Sequence, residues 1–359
     1  MARKKAVGIL TGGGDCPGLN AVIRAIVRGG ITDHGMEIIG IEEGFEGLLS
    51  DRHHQLTLRD VRGILPKGGT ILRTTNRGDP FAYKFPDKPD QVVDRSAEVL
   101  QAVRQLGLDA LILVGGDGTL SIGQRVMAMG IPVVCVPKTI DNDLAATDYT
   151  FGFWTAVEIA TEAVDRLHST AESHNRVMIL EVMGRHAGWI ALYSGMAGGA
   201  DIILIPEIPY RIEAVAEAIQ DRARHGVPFA IVVVAEGARR EGGEEVWAEK
   251  KAKRLGGIAY QVAADIAEEV PLEARVTVLG HVQRGGSPNP FDRILASRFG
   301  KAAIDLVAAG DFGKMVSLRQ DRIVPVPLED AVSRLKLVDA DGEVVRTALG
   351  LGMSFGDGR

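Results

Sequence analysis

The chain has 359 residues and a formal net charge of −6, and 46% of its residues are hydrophobic. At roughly 150 residues per domain, this length predicts two domains, each large enough to bury its own core. The acidic balance without a basic stripe argues against a nucleic-acid partner. No run approaches the roughly 18 apolar residues of a membrane span, which argues against a membrane partner.

The N-terminus and the cysteines indicate the compartment. The basic residues at the start lead straight into a strand pattern, which predicts no signal peptide. Cys16 and Cys135 match no metal spacing and lie too far apart in sequence to suggest a disulfide framework. We therefore expect reduced thiols and a cytoplasmic protein.

Short apolar runs along the chain predict buried β-strands. Their hydrophobicity is continuous rather than alternating, as in parallel strands covered by helices on both faces. The runs are AVGILT, EIIGI, DALILVGG, IPVVCVP, VMILEV, DIILIP, FAIVVVAEG and RVTVLG. Helical patterns between them begin near Leu19, Asp94, Phe153, Arg211 and Pro290. The alternation predicts an α/β fold of two three-layer α/β/α lobes with mainly parallel sheets and an active site in the cleft between them.

Three other segments carry weaker signals. The charge-rich residues 236–257 indicate a solvated loop and helix. Asp341 and Gly342 separate two strand-like runs, which predicts a hairpin. The glycine-rich residues 350–359 indicate a mobile tail.

Two glycine-rich turns follow predicted strands and open helices. The first, GGGDCPGLN, contains Gly14, and the second, GGDGT, contains Asp117. Backbone N–H groups at such a turn can cradle a phosphate, although a tight strand-to-helix turn is the alternative. Neither turn has Rossmann or Walker A spacing. Asp117 is suited to hold Mg²⁺ on nucleotide phosphates, and a helix N-cap is its alternative role.

The stretch VPKTIDNDL follows the strand IPVVCVP and places polar groups at its end. Lys138, Thr139, Asp141 and Asp143 supply a cation, a hydroxyl and two carboxylates. Ligand sites of parallel sheets form at this end of the strands. Phosphoryl transfer to an alcohol needs a base beside the hydroxyl, a metal on the phosphates and fixed positive charge. Arginines and a histidine near later strand ends are suited to bind a sugar phosphate.

Five motifs together resemble the 6-phosphofructokinase family, in family order, from about residue 6 to residue 335. They are GGGDCPGLNAVIR, GGDGT, PKTIDNDL, MGRHAGW and GHVQRGGSP. The GGDGT motif alone also resembles NAD kinases and diacylglycerol kinases. The remaining motifs favour the phosphofructokinases.

The resemblance implies transfer of the γ-phosphate of ATP to the 1-hydroxyl of fructose 6-phosphate, with Mg²⁺ as cofactor. It implies that Asp141 is the general base, with Thr139 beside it, and that Asp117 binds the metal. Arg185 would contact the substrate and the transition state. The residues implied at the ATP site are Gly14, Arg77, Gly116, Gly118, Thr119 and Lys138. Those implied at the sugar-phosphate site are Asp143, Arg176, Met183, Gly184, Glu236, Arg275, His281 and Arg284.

The resemblance also implies an assembly and a division of labour. In the family, the arginines that match Arg176 and Arg275 reach in from a neighbouring subunit, so a homo-oligomer, a tetramer or a dimer, is expected. The implied ATP and Mg²⁺ lobe comprises residues 1–152 and about 283–335. The implied sugar-phosphate lobe comprises residues 153–282 and the C-terminal segment.

The donor determinants are mixed. Gly118 leaves room for a nucleotide phosphate, whereas Lys138 is typical of the pyrophosphate-dependent enzymes. Asn76 stands where the family has a transition-state arginine, and Arg77 follows it. ATP is the favoured donor and pyrophosphate the alternative. A regulatory subunit that binds sugar phosphate without turnover is an alternative of another class.

Overall fold

The computed structural model describes residues 3–249 and 254–359. The chain divides into two structural units. Unit 1 comprises Met1–Ile140, Leu144–Trp154 and Arg284–Leu335, and unit 2 comprises Asp141–Asp143, Thr155–Gln283 and Lys336–Arg359. Each unit contains a sheet of its own.

Unit 1 is built on a seven-stranded sheet. Its strands, in spatial order, are β15 (Arg322–Pro327), β14 (Lys314–Arg319), β7 (Val133–Pro137), β6 (Ala110–Gly115), β1 (Ala6–Thr11), β2 (Glu37–Ile41) and β3 (His53–Leu56). The five inner strands are parallel, and the strand at each edge is antiparallel to its neighbour. Every residue of β1, β6 and β7 is buried, as their continuous apolar sequences predict. A ribbon of β4 (Tyr83–Phe85) and β5 (Lys88–Val93) lies outside this sheet.

Helices follow the strands of unit 1. They are α1 (Leu19–Thr32), α2 (Phe45–Leu49), α3 (Ser96–Gln105), α4 (Asp117–Ala128), α9 (Pro290–Ala309) and α10 (Leu328–Val332). The start of α9 is set by the side chain of Asn289, which accepts the N–H of Asp292 at 2.9 Å, and by Pro290 in the first turn. Helices α1 and α9 pack closely, because a Cβ at Gly300 would lie 2.6 Å from the Val22 carbonyl oxygen.

Unit 2 contains a four-stranded parallel sheet. Its strands, in spatial order, are β13 (Ala274–Val278), β8 (Val177–Val182), β10 (Ala230–Ala235) and β9 (Ile202–Leu204). The short strands β11 (Trp247–Glu249) and β12 (Arg254–Leu255) pair with each other. The helices are α5 (Phe153–His174), α6 (Trp189–Ala197), α7 (Ile212–Arg224), α8 (Ile258–Glu269) and α11 (Glu343–Gly350), and a 3₁₀ helix covers Gly280–Arg284.

The predicted α/β class with mainly parallel sheets is confirmed. The hairpin predicted at Asp341 is wrong, because α11 begins directly after Gly342 and buries Val345 and Ala348 at helical spacing. The predicted mobile tail is also wrong. Ser354 donates its N–H to the Asp201 carbonyl at 2.9 Å, and Phe355 is fully buried.

The charge-rich stretch 236–257 differs from the expected loop and helix. Its described residues contribute the strands β11 and β12, and residues 250–253 lie outside the described part of the chain. Within residues 3–249 and 254–359, no helix combines the length and the apolar character needed to cross a membrane.

Candidate active site

The predicted phosphate loops lie at one edge of the unit 1 sheet. Strands β1, β6 and β7 are parallel neighbours, so their carboxyl ends share this edge. The first glycine loop follows β1, the second follows β6, and VPKTIDNDL runs on from β7. The strand order reverses at β1, whose neighbours are β2 and β6, and open α/β sheets bind ligands at such a point.

The two glycine loops are held side by side by the buried Thr119. A Cβ at Gly12 would lie 2.6 Å from Thr119 Oγ1, and a Cβ at Gly115 would overlap the same side chain. Gly12 also donates its N–H to the Val114 carbonyl at 3.0 Å. Glycine at these positions therefore permits the close approach of the loops.

Two cationic side chains contact the first glycine loop. The side chain of Lys138, a residue only 3% exposed, donates from Nζ to the Gly14 carbonyl at 2.5 Å. Arg284 donates from its guanidinium to the Asp15 carbonyl at 3.3 Å, and a Cβ at Gly14 would lie 2.8 Å from the Arg284 guanidinium nitrogen. Fixed positive charge thus borders the loop that is expected to hold the transferred phosphate.

Cys16 lies in the same loop but is buried. Desolvation raises the pKa of its thiol to about 12, although the nearby Lys138 opposes the shift. The thiol is therefore protonated at neutral pH, and nucleophilic chemistry by Cys16 is disfavoured.

Asp117 is the first residue of α4, and Gly116 occupies the N-cap position. The alternative role of Asp117 as an N-cap is therefore wrong. Its side chain is exposed, and a Cβ on the neighbouring Gly118 would meet nothing within 4 Å. No group of three or more His, Cys, Asp or Glu side chains suited to a metal occurs among the described residues. A single carboxylate beside a phosphate loop fits Mg²⁺, which completes its shell with phosphate oxygens and water.

The loop Asp141–Asp143 belongs to unit 2. Asn142 between the two aspartates is buried and has a left-handed backbone with φ 52°. Its side-chain oxygen accepts a hydrogen bond from Lys336 Nζ at 3.0 Å, and the Asp143 carbonyl accepts the Lys336 N–H at 2.8 Å. Thr139, just before this loop, accepts the Thr150 hydroxyl on its carbonyl at 2.7 Å.

Four of the expected sugar-site residues lie at the carboxyl edge of the unit 2 sheet, together with Arg185. The four are Met183, Gly184, Glu236 and His281. Met183 and Gly184 follow β8, and Glu236 follows β10 and donates its N–H to the Val182 carbonyl at 2.9 Å. The N–H of Met183 donates to the buried Gln283 side chain at 2.7 Å. Arg185 is exposed, with its guanidinium carbon 5.9 Å from the centre of the Trp247 ring. His281 is exposed in the 3₁₀ helix.

Arg176 and Arg275 lie at the opposite, amino edge of the unit 2 sheet. Arg176 directly precedes β8, and Arg275 pairs in register with Met178 near the start of that strand. Both arginines form ion pairs with Glu273. Strand β8 has six residues and spans about 20 Å, so one chain does not bring these arginines to Met183 and Glu236.

Arg77 is exposed in a turn of unit 1 near the first glycine loop. Its backbone N–H donates to the Thr75 hydroxyl at 3.0 Å, and the Thr75 carbonyl accepts the Gly13 N–H at 3.1 Å. Thr75 thus links the turn to the loop, whereas the Asn76 side chain is exposed.

The sequence assigns no role to three residues near the expected site loops. Glu207 accepts the Gly188 N–H, Lys336 contacts Asn142, and Trp189 donates its indole N–H to the Lys336 carbonyl. Trp189 ends the motif MGRHAGW without an implied role, and Glu207 and Lys336 lie outside all five motifs. A lysine, an indole and a carboxylate in isolation give no signal, because only the fold brings them to these loops.

Parallel sheets that carry glycine loops, a metal-compatible carboxylate and cationic side chains at their carboxyl edge define an α/β protein that binds phosphorylated ligands. The family model for phosphofructokinase matches residues 6–307. The chain belongs to the phosphofructokinase family, and the resemblance found in the motifs is confirmed.

Relatives include both donor types. The chain is 53% identical over 357 residues to an ATP-dependent 6-phosphofructokinase of Chloroflexus aurantiacus, covering 99% of each chain. It is 54% identical over 341 residues to a pyrophosphate–fructose 6-phosphate 1-phosphotransferase of Amycolatopsis mediterranei, covering 93% of this chain and 96% of the relative. The T-state structure of Pichia pastoris phosphofructokinase matches with a TM-score of 0.80 and 31% identity, covering all of this chain but 38% of the larger one.

Proposed function

We propose that the protein transfers the γ-phosphate of ATP to the 1-hydroxyl of fructose 6-phosphate, giving fructose 1,6-bisphosphate and ADP. Membership of the family and the relative from Chloroflexus aurantiacus support this reaction. The observation that carries the proposal is the carboxyl edge of β1, β6 and β7, where two glycine loops, Asp117 and Lys138 lie together. A glycolytic, cytoplasmic role is part of the same proposal.

In this mechanism, Asp141 takes the proton of the 1-hydroxyl while the oxygen of that hydroxyl attacks the γ-phosphorus. The bond between the γ-phosphorus and the ADP oxygen breaks in the same step. Mg²⁺, held by Asp117, would neutralise negative charge on the donor phosphates. Lys138 adds fixed positive charge at the first glycine loop. Arg185 contacts the transferred group, and Thr139 and Asp143 support the base. The remaining donor contacts are assigned to Gly14, Arg77, Gly116, Gly118 and Thr119.

Pyrophosphate is the second candidate donor. The relative from Amycolatopsis mediterranei is named for pyrophosphate, and Lys138, typical of such enzymes, contacts the first glycine loop. The open space at Gly118 favours ATP, because a nucleotide needs room that pyrophosphate does not.

The sugar phosphate is assigned to residues of this chain and of a second copy of the chain. Met183, Gly184 and Glu236 would hold the sugar, and His281 and Arg284 would bind the 6-phosphate. Arg176 and Arg275 lie at the far edge of the sheet within one chain, so a neighbouring copy would supply them. A homo-oligomer, a tetramer or a dimer, follows from this assignment.

The donor is tested by initial rates with fructose 6-phosphate and Mg²⁺, with ATP and pyrophosphate compared under the same conditions. Turnover with ATP alone supports the proposal, and turnover with pyrophosphate alone reverses the donor assignment. Sugar-phosphate binding without turnover of either donor would instead support a regulatory subunit.

The shared site is tested by subunit complementation between Arg275→Ala and His281→Ala. Each variant alone should have little activity, whereas hybrids reassembled from both should regain part of it, because some sites then contain both native side chains. Arg166→Ala, which removes an exposed arginine of α5, is the control and should remain active. Hybrids without recovered activity would place both residues in the site of a single chain.

A further inference from the structure

Residue Lys336 contacts the Asp141–Asp143 loop and the first residue of α6, the helix that follows the Arg185 loop. Its N–H donates to the Asp143 carbonyl at 2.8 Å, and its ammonium donates to the Asn142 side-chain oxygen at 3.0 Å. On its other side, the Lys336 carbonyl accepts the Trp189 indole N–H at 2.8 Å. Trp189 is the first residue of α6 and follows the loop that contains Arg185.

The contact with Asn142 supports an unusual backbone conformation. Asn142 has φ 52°, a left-handed conformation that few residues other than glycine adopt, although asparagine is enriched there. Such a residue keeps its conformation when its surroundings hold it. The Lys336 ammonium binds the side chain of the residue that separates Asp141 from Asp143.

A second link runs two residues further along the same segment. Val338 donates its N–H to Glu207 Oε1 at 2.8 Å, and the two Glu207 oxygens accept the Gly188 N–H at 3.0 and 3.1 Å. Gly188 has no room for a side chain, because a Cβ there would overlap Ile205 and lie 2.9 Å from Glu207 Oε2. The segment 336–338 is thus fastened to the Arg185 loop both through Trp189 and through Glu207.

We infer that Lys336 is a positioning residue for phosphoryl transfer, which holds the Asp141–Asp143 loop in register with the loop that contains Arg185. This inference rests on the proposed function and adds to it a residue outside the family motifs. Lys336 acts through its contacts with Asn142, Asp143 and Trp189. A displacement of about 1 Å in a catalytic group can lower the rate about 10²-fold. Loss of the ammonium should therefore lower kcat more than it raises KM.

The main test is Lys336→Met, which keeps an unbranched apolar side chain and both backbone hydrogen bonds and removes the ammonium. We expect kcat to fall about 10- to 10²-fold with a KM for fructose 6-phosphate within about two-fold of wild type. Lys336→Arg, which restores a cation and N–H donors, should recover part of kcat. Lys301→Met is the matched control, because it removes a lysine paired with Asp305 at 2.6 Å on α9 and should leave kcat unchanged.

A double-mutant cycle identifies the route of the effect. Asn142→Gly accepts the left-handed backbone and removes the oxygen that Lys336 contacts. If Lys336 acts through Asn142, adding Lys336→Met to Asn142→Gly should lower kcat little further, because interacting residues are not additive. Fully additive losses would overturn the positioning role.

The outcomes separate the inference from the proposed function. Wild-type protein without turnover on either ATP or pyrophosphate would overturn both. Active wild type together with wild-type kcat in Lys336→Met would overturn the inference alone. If Lys336→Met does not fold, Trp189→Phe decides, because it removes the indole N–H and keeps an aromatic ring. A lower kcat at unchanged KM in that variant supports the inference, and wild-type kcat overturns it.

Discussion

In unit 1 the loops at the carboxyl edge of the sheet are held by backbone groups and glycines. Gly12 and Gly115 bring their chains close because neither has a side chain, and the buried Thr119 fills the space between them. Lys138 and Arg284 reach the first loop through carbonyl oxygens. This edge presents backbone and fixed charge rather than a varied set of side chains.

In unit 2 the corresponding loops are held by side chains from distant parts of the chain. Lys336 binds Asn142 and accepts the Trp189 indole N–H, and Glu207 accepts the N–H groups of Gly188 and Val338. Each of these contacts depends on the length and the polarity of a particular side chain.

The proposed function, with phosphate groups at the unit 1 edge and a sugar at the unit 2 edge, accounts for this difference. Phosphates are bound by backbone N–H groups and positive charge, which requires close approach and hence glycine. A sugar needs directional partners, and a proton acceptor must be placed accurately beside one hydroxyl. Substitutions at the unit 1 edge should therefore change donor use, whereas substitutions at the unit 2 edge should change the transfer step.

The largest effect is expected from Asp141→Ser, on the loop that belongs to unit 2. Loss of a positioned base should lower kcat about 10²- to 10⁴-fold, while KM for fructose 6-phosphate changes little. Steady-state rates measure both quantities. Asp87→Ser is the control, because Asp87 is exposed in the turn between β4 and β5. Wild-type turnover in Asp141→Ser would remove Asp141 from the mechanism.

At the unit 1 edge, Gly118→Asp should lower the activity with ATP as the donor. A carboxylate there would face the nucleotide phosphates, and such like-charge contact costs several kcal/mol, or at least about 10²-fold in kcat/KM for ATP. Any activity with pyrophosphate should fall less. The fold should tolerate the change, because a Cβ at Gly118 meets nothing within 4 Å.

The control for this variant is Gly350→Asp, at another helical glycine whose Cβ would meet nothing within 4 Å. Its kinetics should match wild type, since Gly350 ends α11 and belongs to no expected site. Unchanged ATP kinetics in Gly118→Asp would show that this position does not select the donor.

The same contrast explains what the sequence could predict. Strands such as β1, β6 and β7 were predictable because buried parallel strands are continuous apolar runs. Gly14, Asp117 and Asp141 stand in short motifs that follow these three strands. The hairpin of β14 and β15 was missed, because the segment mixes charged residues and prolines with its apolar ones. Lys336 was missed because it lies 194 positions from Asn142, and only the fold brings the two together.

The smallest effect is expected from Glu207→Gln, which tests whether a half-buried carboxylate holds the unit 2 edge. Burial raises the pKa of the Glu207 carboxyl above its ordinary value of 4.5, while the N–H groups of Val338 and Gly188 oppose the shift. The native state therefore binds this proton more tightly than the unfolded state. The stabilisation that results is complete at a pH below the pKa of Glu207 in the unfolded state. It is lost as the pH rises through the pKa of Glu207 in the folded state. As the pH rises above about 4.5, the Tm of wild type should therefore fall relative to that of Glu207→Gln, which does not titrate.

The control is Glu98→Gln, because the pKa of Glu98 is shifted in the opposite direction to that of Glu207. Glu98, in unit 1, accepts hydrogen bonds from Arg95 that lower the pKa of its carboxyl, so its stability is present above the unfolded pKa and is lost only in acid. The Tm difference between wild type and Glu98→Gln should thus stay constant in the range where the difference for Glu207→Gln changes. If the Tm difference between wild type and Glu207→Gln also stays constant with pH, the N–H groups of Gly188 and Val338 compensate fully for the burial of the carboxylate. The unit 2 edge would then be held by hydrogen-bond geometry alone, independent of the charge on Glu207.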